Sequence, residues 1–356
     1  MKLRRDPNNP ILERDTIVGY DTLFNPGVCD VDDKVYLIAR AARDDRRLAA
    51  KTDRAYIYTN QICDHIVFVS NDNGKTFEFT GRKMTGSSST WIDGYTNEIS
   101  VPTYFGPFGT EDLRLCKIGN KYVGVVHVMT HTPYTGDHKA GGRVGLVITE
   151  DFRHYKRYLI GPLREEGDRD GWIMEHSGKI AYFSRIKPDA TDKRKIKYPS
   201  IQVVHFDSLQ DLITASPSFW HDYLENVDKY TIISPTYEWE GQQIGGGPIL
   251  EHEEGYIMFY HGVQKGKMYS TGAALLDKKT LKCIKKTKEP ILYPEEWYET
   301  GEYGGDSKNV TFVNGARYVN DNQIEIYYGA ADSHIAKAYV DDVNEFVKNM
   351  PVFSSL

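Results

Sequence analysis

The sequence predicts an all-β chain folded as a five-bladed β-propeller with short helical and loop insertions. Three observations carry this reading. One hairpin pattern recurs five times along the 356 residues, and about four short strands fall in each interval. Alongside them, 25 tyrosines and 14 phenylalanines accompany few long amphipathic helical windows.

The first hairpin follows the turn Phe24-Asn25-Pro26-Gly27, where Val28 to Asp33 leads into Val35-Tyr36-Leu37-Ile38-Ala39-Arg40. Ile118-Gly119-Asn120-Lys121 then turns into Tyr122 to His127, and His176-Ser177-Gly178-Lys179 into Ile180 to Arg185. His252-Glu253-Glu254-Gly255 opens Tyr256 to His261. Val319-Asn320-Asp321-Asn322 opens Gln323 to Tyr328, closing on Gly329-Ala330-Ala331-Asp332. The turn positions 34, 121, 179, 256 and 323 lie 87, 58, 77 and 67 residues apart. An even division would be about 71, so the pattern is constant and the surface loops vary. Further strands are expected at Ile66 to Ser70, Thr76 to Thr80, Val144 to Thr149, His154 to Ile160, Ser200 to Phe206, Gly272 to Leu276, Thr280 to Lys286 and Ile335 to Val340. A lone four-stranded sheet cannot bury both faces, so such units must pack on neighbours, as propeller blades do. A pair of irregular β-sandwiches is the alternative. Residues 1–356 are expected to form one five-bladed propeller domain with an insertion at about 50–108.

Composition narrows the function. With 44 basic and 50 acidic residues the net charge is −6, and no basic block of the kind nucleic acid requires is present. The four cysteines, at 29, 63, 116 and 283, lack CxxC spacing, so neither a metal site nor a disulfide framework is expected. Met1 to Pro7 has charge but no apolar stretch, and nowhere do ~18 apolar residues run together, so a cytoplasmic protein without membrane contact is expected. GxxxxGK[ST], GxSxG and HExxH are absent.

Several charged stretches remain. Gly109-Thr110-Glu111-Asp112-Leu113-Arg114-Leu115 places two carboxylates and a guanidinium at the mouth of an apolar hairpin, where they must be paired or face a wet cleft. If the five repeated runs are the innermost strands, their ends Arg40, His127, Arg185, His261 and Asp332 meet in one funnel, an anion site built by symmetry. A solvated rim is the alternative. Arg40, Arg43, Arg46 and Arg47 lie within eight residues, with Asp44 and Asp45 between them. Such forks suit phosphate or carboxylate, although a solvated charge run is the commoner fate. Gly167-Asp168-Arg169-Asp170-Gly171 adds an acid-flanked arginine, and Gly245-Gly246-Gly247-Pro248 permits close backbone approach or simply a turn. Of the aromatics in turn-rich stretches, Trp239 beside Glu240 is the one expected in a binding cleft.

Seven ordered motifs resemble glycoside hydrolase family 130, the β-mannoside phosphorylases and their hydrolytic relatives on a five-bladed propeller. They are Phe24-Asn25-Pro26, Glu111-Asp112-Leu113-Arg114, Arg169-Asp170-Gly171, Phe183-Ser184-Arg185, Gly246-Gly247-Pro248-Ile249, Tyr260-His261-Gly262-Val263 and Tyr327-Tyr328-Gly329-Ala330-Ala331-Asp332. One departure is Leu113, where the family usually has proline. The resemblance implies that Asp112 is the catalytic acid, protonating the glycosidic oxygen in some members through a mannose hydroxyl. It implies a phosphate pocket from Arg43, Arg46, Arg47, Arg169, Tyr260 and His261. The sugar side would be Asn25, Arg40, Arg114, Asp170, Arg185, Trp239, Asp306 and Asp332. Inorganic phosphate is the co-substrate, with no metal or other cofactor, and a homo-oligomer is implied.

The residues themselves point the same way. An inverting hydrolase needs an acid and a base ~6.5–9.5 Å apart, whereas phosphate is already an anion and needs only cations to hold it. One marked acid among many cations therefore suits phosphorolysis, and with the resemblance the expected reaction is inverting phosphorolysis of a β-mannoside to α-D-mannose 1-phosphate. The resemblance in the Glu111–Arg114 region and the preceding insert implies a lean towards β-1,2-linked substrates over β-1,4-linked ones. A β-mannosidase and a non-catalytic sugar-binding propeller are the competing readings.

Overall fold

Each repeated hairpin forms the first two strands of an antiparallel blade. The computed structural model describes residues 1–44, 61–100, 109–129, 142–164, 168–186, 198–264, 266, 268–302 and 307–353. Blade 1 is Thr22–Val31, Lys34–Asp44, Gln61–Ser70 and Glu78–Thr85. Blade 2 is Thr110–Ile118, Lys121–Met129, Gly142–Thr149 and Lys156–Arg164, extended outward by Trp91–Asp93 and Ile99–Ser100. Blade 3 is Arg169–His176, Lys179–Ile186, Ser200–Phe206 and Thr231–Ile233, and blade 4 is Ile244–His252, Gly255–Val263, Tyr269–Leu276 and Cys283–Lys286. Blade 5 is Thr311–Asn320, Gln323–Ala330 and His334–Val340, completed by the N-terminal Arg4–Arg5.

The hairpins turn where the sequence offers small polar residues or glycine. Asp32, Gly119, Ser177 and Gly178 sit at φ 54°, 56°, 52° and 75°, the left-handed conformation that tight β-turns require. The first strands of successive blades lie side by side, with blade 5 returning to blade 1, and so close the five-bladed ring. This corrects one expectation. The runs ending in Arg40, His127, Arg185 and His261 are second strands, and the innermost strand of each blade is the one that precedes the hairpin turn. The insertion expected over about 50–108 is also narrower, because 61–70 and 78–85 are the outer strands of blade 1.

Apolar side chains fill the spaces between blades. The largest cluster joins blades 2, 3 and 4 through Val125, Ile173, Phe183, Ile201, Ile244 and Met258, all buried. The helix Pro217–Glu225 starts with proline in its first turn and with Ser216 accepting the Phe219 N–H. It buries Trp220, Tyr223 and Leu224 in the same cluster. At the ring closure Tyr327 and Ile335 of blade 5 pack with Leu23, Val28 and Phe68 of blade 1, and charge adds to this. Arg317 of blade 5 bonds Glu325 at 2.6 Å and Asp30 of blade 1 at 2.8 Å. Lys337 reaches Glu325 at 3.3 Å and the N-terminal Asp6 at 3.4 Å. No described helix is long and apolar enough to cross a membrane.

Candidate active site

All five inner strands carry a β-bulge at the same level. The register shifts at Phe24/Gly27, Glu111/Arg114, Arg169/Trp172, Gly246/Ile249 and Val313/Gly315. A bulge leaves extra residues unpaired and re-aims their side chains. In blades 1, 2 and 3 these include Asn25, Asp112 and Asp170, at φ 44°, 55° and 56°. Asn and Asp tolerate that conformation better than other side-chain-bearing residues. Symmetry thus sets one amide and two carboxylates at equivalent positions of three inner strands.

Asn25, Arg40, Glu111, Asp112, Arg169 and Asp332 line a cleft of about 560 Å3. Asp112 Oδ1 accepts from Asn25 Nδ2 at 2.7 Å and from Arg40 Nη1 at 2.9 Å. Among the described residues its Oδ2 has no partner. Arg40 Nη2 bonds Glu111 Oε1 at 2.7 Å, and Arg169 Nη1 bonds Glu111 Oε2 at 2.6 Å. Burial pushes the Glu111 carboxyl up, but Arg40, Arg169 and His127 outweigh it and hold the group well below the usual carboxylate range. Glu111 is therefore a fixed anion that keeps two guanidiniums apart. Arg169 remains 35% exposed at the side chain, open to a ligand.

A dry layer of charge lies behind this wall. Asp170 binds Arg114 at 2.8 Å through Oδ1 and Arg185 through Oδ2, and His261 Nε2 stands 3.8 Å from the same Oδ2. Arg114 also donates to the Asp112 carbonyl at 3.1 Å, linking this layer to the acid. The Phe312 ring packs against His261, with centroids 4.3 Å apart. Close approach here explains one glycine of the triplet, since a Cβ at Gly245 would collide with the Asp170 carboxylate and the His261 ring.

Other expected residues lie elsewhere. Successive residues of a strand face opposite ways, so Tyr260 and His261 cannot share one site. Tyr260 is fully buried and donates to Glu240 Oε1 at 2.7 Å. Trp239 lies against Tyr260, 5.6 Å between centroids, in a slot beside Gly262 and Gly272, and its indole N–H bonds the Lys288 carbonyl. Neither reaches the cleft. Arg43 turns to Asp64 at 3.8 Å and is not a cleft residue. Asp170, Arg114, Arg185 and His261 support the cleft rather than line it. Arg46, Arg47 and Asp306 fall outside the described residues.

The cleft also holds Gln243, Tyr269, Lys308 and Phe312, which carry no motif signal in the sequence. A separate cavity of about 260 Å3 beside Tyr95, Arg143 and Trp220 contains none of the expected site residues. Among the described residues no group of His, Cys, Asp and Glu is placed to hold a metal ion.

Glu240 and Lys286 pair at 2.7 Å behind Tyr260, both with no exposure. Lys286→Met leaves a buried carboxylate without its counter-ion and is expected to destabilise the fold by about 3–5 kcal/mol in denaturant melts.

Buried imidazoles set the acid limit of stability. Burial, aided by Arg40, pushes His65 down to about 3. Burial with Arg169 takes His127 to about 4, and burial with Arg14 takes His334 to about 4. For His261 burial again dominates, opposed by Asp170 and aided by Arg185 and Arg114, to about 4. The unfolded chain protonates these rings near pH 6.5. Between about 6.5 and 4 it therefore holds more protons than the folded chain, and stability falls as pH falls. The thermal midpoint is expected to drop by about 5–10 °C from pH 7 to pH 5, and a flat profile would contradict this burial.

Comparison with known proteins agrees with this architecture. The family model for glycoside hydrolase family 130, described as beta-1,4-mannooligosaccharide phosphorylase, matches residues 94–350. A beta-1,4-mannooligosaccharide phosphorylase of Ruminococcus albus is 40% identical over 353 residues, covering 96% of this chain and 89% of the relative. A beta-1,2-mannobiose phosphorylase of Thermoanaerobacter is 29% identical over 348 residues, covering 96% and 97%. The solved beta-1,2-mannobiose phosphorylase of Listeria innocua shares the fold at a TM-score of 0.71 and 20% identity, over 98% of this chain and 99% of that one. The chain belongs to glycoside hydrolase family 130.

Proposed function

We propose that the protein is a β-mannoside phosphorylase acting by inversion, with residues 1–356 as one catalytic domain. Asp112 gives its proton to the glycosidic oxygen, directly or through a mannose hydroxyl, as the bond from that oxygen to the anomeric carbon breaks. A phosphate oxygen bonds the same carbon from the opposite face, leaving α-D-mannose 1-phosphate and a shortened sugar. The step is a glycosyl transfer onto phosphate.

One observation carries this reading: beside Asp112, the adjacent carboxylate Glu111 is already held between Arg40 and Arg169. Its proton affinity is reduced, so it is a poor base for activating water. Arg169 and Lys308 offer phosphate its charge partners in the cleft. Asn25 and Arg40 fix Asp112, and the sugar hydroxyls fall to Asp332, a cleft residue that accepts from Ser307 at 2.6 Å. The phosphorylase names of the relatives support the same chemistry.

Two linkages have support. The resemblance in the Glu111–Arg114 region and the name of the Thermoanaerobacter relative support β-1,2, whereas the 40% identity to the Ruminococcus enzyme favours β-1,4. Incubation with β-1,2- and β-1,4-linked manno-disaccharides, each with and without phosphate, tests both points. Turnover that requires phosphate supports phosphorolysis, and the preferred disaccharide fixes the linkage. Equal release of free mannose without phosphate would establish the β-mannosidase, with Asp332 the remaining cleft acid for a base. Association into a homo-oligomer belongs to the same reading and is read by light scattering.

A further inference from the structure

His65 lies on the third strand of blade 1, fully buried, yet both of its ring nitrogens are taken by the inner strand of blade 2. Its Nδ1 is 2.8 Å from Thr110 Oγ1, and its Nε2 is 3.2 Å from the Leu113 nitrogen. Between those two contacts lie Glu111 and Asp112. A backbone N–H can only donate, so Nε2 carries the lone pair and Nδ1 the proton. The ring is thus a neutral bracket across the bulge that displays the acid.

The bulge needs such a bracket. Asp112 sits in the left-handed region at φ 55°, a conformation that persists where the surroundings over-determine it. Leu113 is gripped on its other side as well, since Asn314 Nδ2 reaches its carbonyl at 3.5 Å. Blade 1 also meets this strand through backbone. Cys63 bridges Gly109, where a Cβ would strike the Cys63 carbonyl, so His65 enters at a fixed height.

We propose that His65 is a positioning residue for Asp112, holding the Thr110–Leu113 bulge through its Nδ1–H tautomer so that the carboxyl meets the glycosidic oxygen. The inference rests on the reading of Asp112 as the acid. His65 touches no substrate and transfers no proton. A misplacement of ~1 Å in a catalytic group costs on the order of 10²-fold, which sets the size of the effect.

The test compares His65→Phe, His65→Gln and His65→Asn with Asp112→Asn, on the full chain with a manno-disaccharide and phosphate. Phe fills the ring space but leaves the Leu113 N–H without an acceptor. Gln places an oxygen near Nε2, whereas Asn is too short to reach it. Expected for His65→Phe is a kcat loss of about 10- to 100-fold, with KM for both substrates within about threefold and the pH profile unmoved. His65→Gln should recover most of kcat. Should the Phe variant fail to fold, Gln exceeding Asn at least about fivefold in kcat carries the same conclusion. Native kcat in His65→Phe, equal kcat in Gln and Asn, or a displaced limb of the pH profile would each overturn the proposal. Activity persisting in Asp112→Asn would instead remove the acid assignment beneath it.

Discussion

Asp112→Asn is expected to lower kcat by about 10²–10⁴-fold while leaving the fold and sugar binding intact. The amide keeps the shape of the carboxylate, and its oxygen still accepts from Asn25 Nδ2 and Arg40 Nη1, now 2.7 and 2.9 Å away. Arg40 keeps its bond to Glu111, so no guanidinium is stranded. What disappears is the transferable proton, and with it assistance to the leaving sugar. Steady-state rates beside calorimetric binding of the disaccharide separate the two effects. Near-normal turnover would remove Asp112 from its role.

Asp170→Ala is expected to be nearly as damaging, by a different route. Both oxygens of this buried carboxylate are engaged, one by Arg114 and one by Arg185. Removing them leaves two guanidiniums, 1% and 6% exposed at the side chain, in a dry interior without a counter-ion. Breaking a buried pair in this way costs about 3–5 kcal/mol. Arg114 also holds the Asp112 carbonyl, so the survivors should turn over more slowly, beyond the loss from a smaller folded fraction. Denaturant melts and kcat per folded molecule measure the two parts. A small stability change with native kcat would mean that the arginines find water instead.

The parts legible in the sequence are those where local chemistry repeats. Glycine, Asn and Asp at the hairpin turns, followed by apolar runs, mark five blades because each hairpin solves the same problem alone. The acid stretch at Glu111–Arg114 stands out because charge rarely opens an apolar strand. Side-chain direction was less accessible. Strand alternation sends Tyr260 to Glu240 and His261 towards Asp170, although neighbours in sequence look like one motif. Trp239 resembles a sugar platform until Gly262 and Gly272 are found to form a slot for it.

Long-range pairings left the least trace. Two residues, Arg4 and Arg5, finish blade 5 by pairing with Tyr339 and Ala338, a strand too short for any pattern. His65 lies 48 residues from Leu113, and nothing beside it in the sequence points to that partner. The leucine at 113, where the resemblance points to proline, carries the N–H that His65 binds, a donor that proline lacks. Lys308, just ahead of the first strand of blade 5, meets Arg40, Asp112 and Arg169 of other blades only in the closed ring.

Phosphorus and proton NMR of the first turnovers on the preferred manno-disaccharide test the central claim most directly. Asp112 as donor opposite bound phosphate predicts α-D-mannose 1-phosphate, formed only when phosphate is present and in step with the released sugar. Free mannose accumulating at the same rate without phosphate, or a β-configured mannose 1-phosphate, would contradict it.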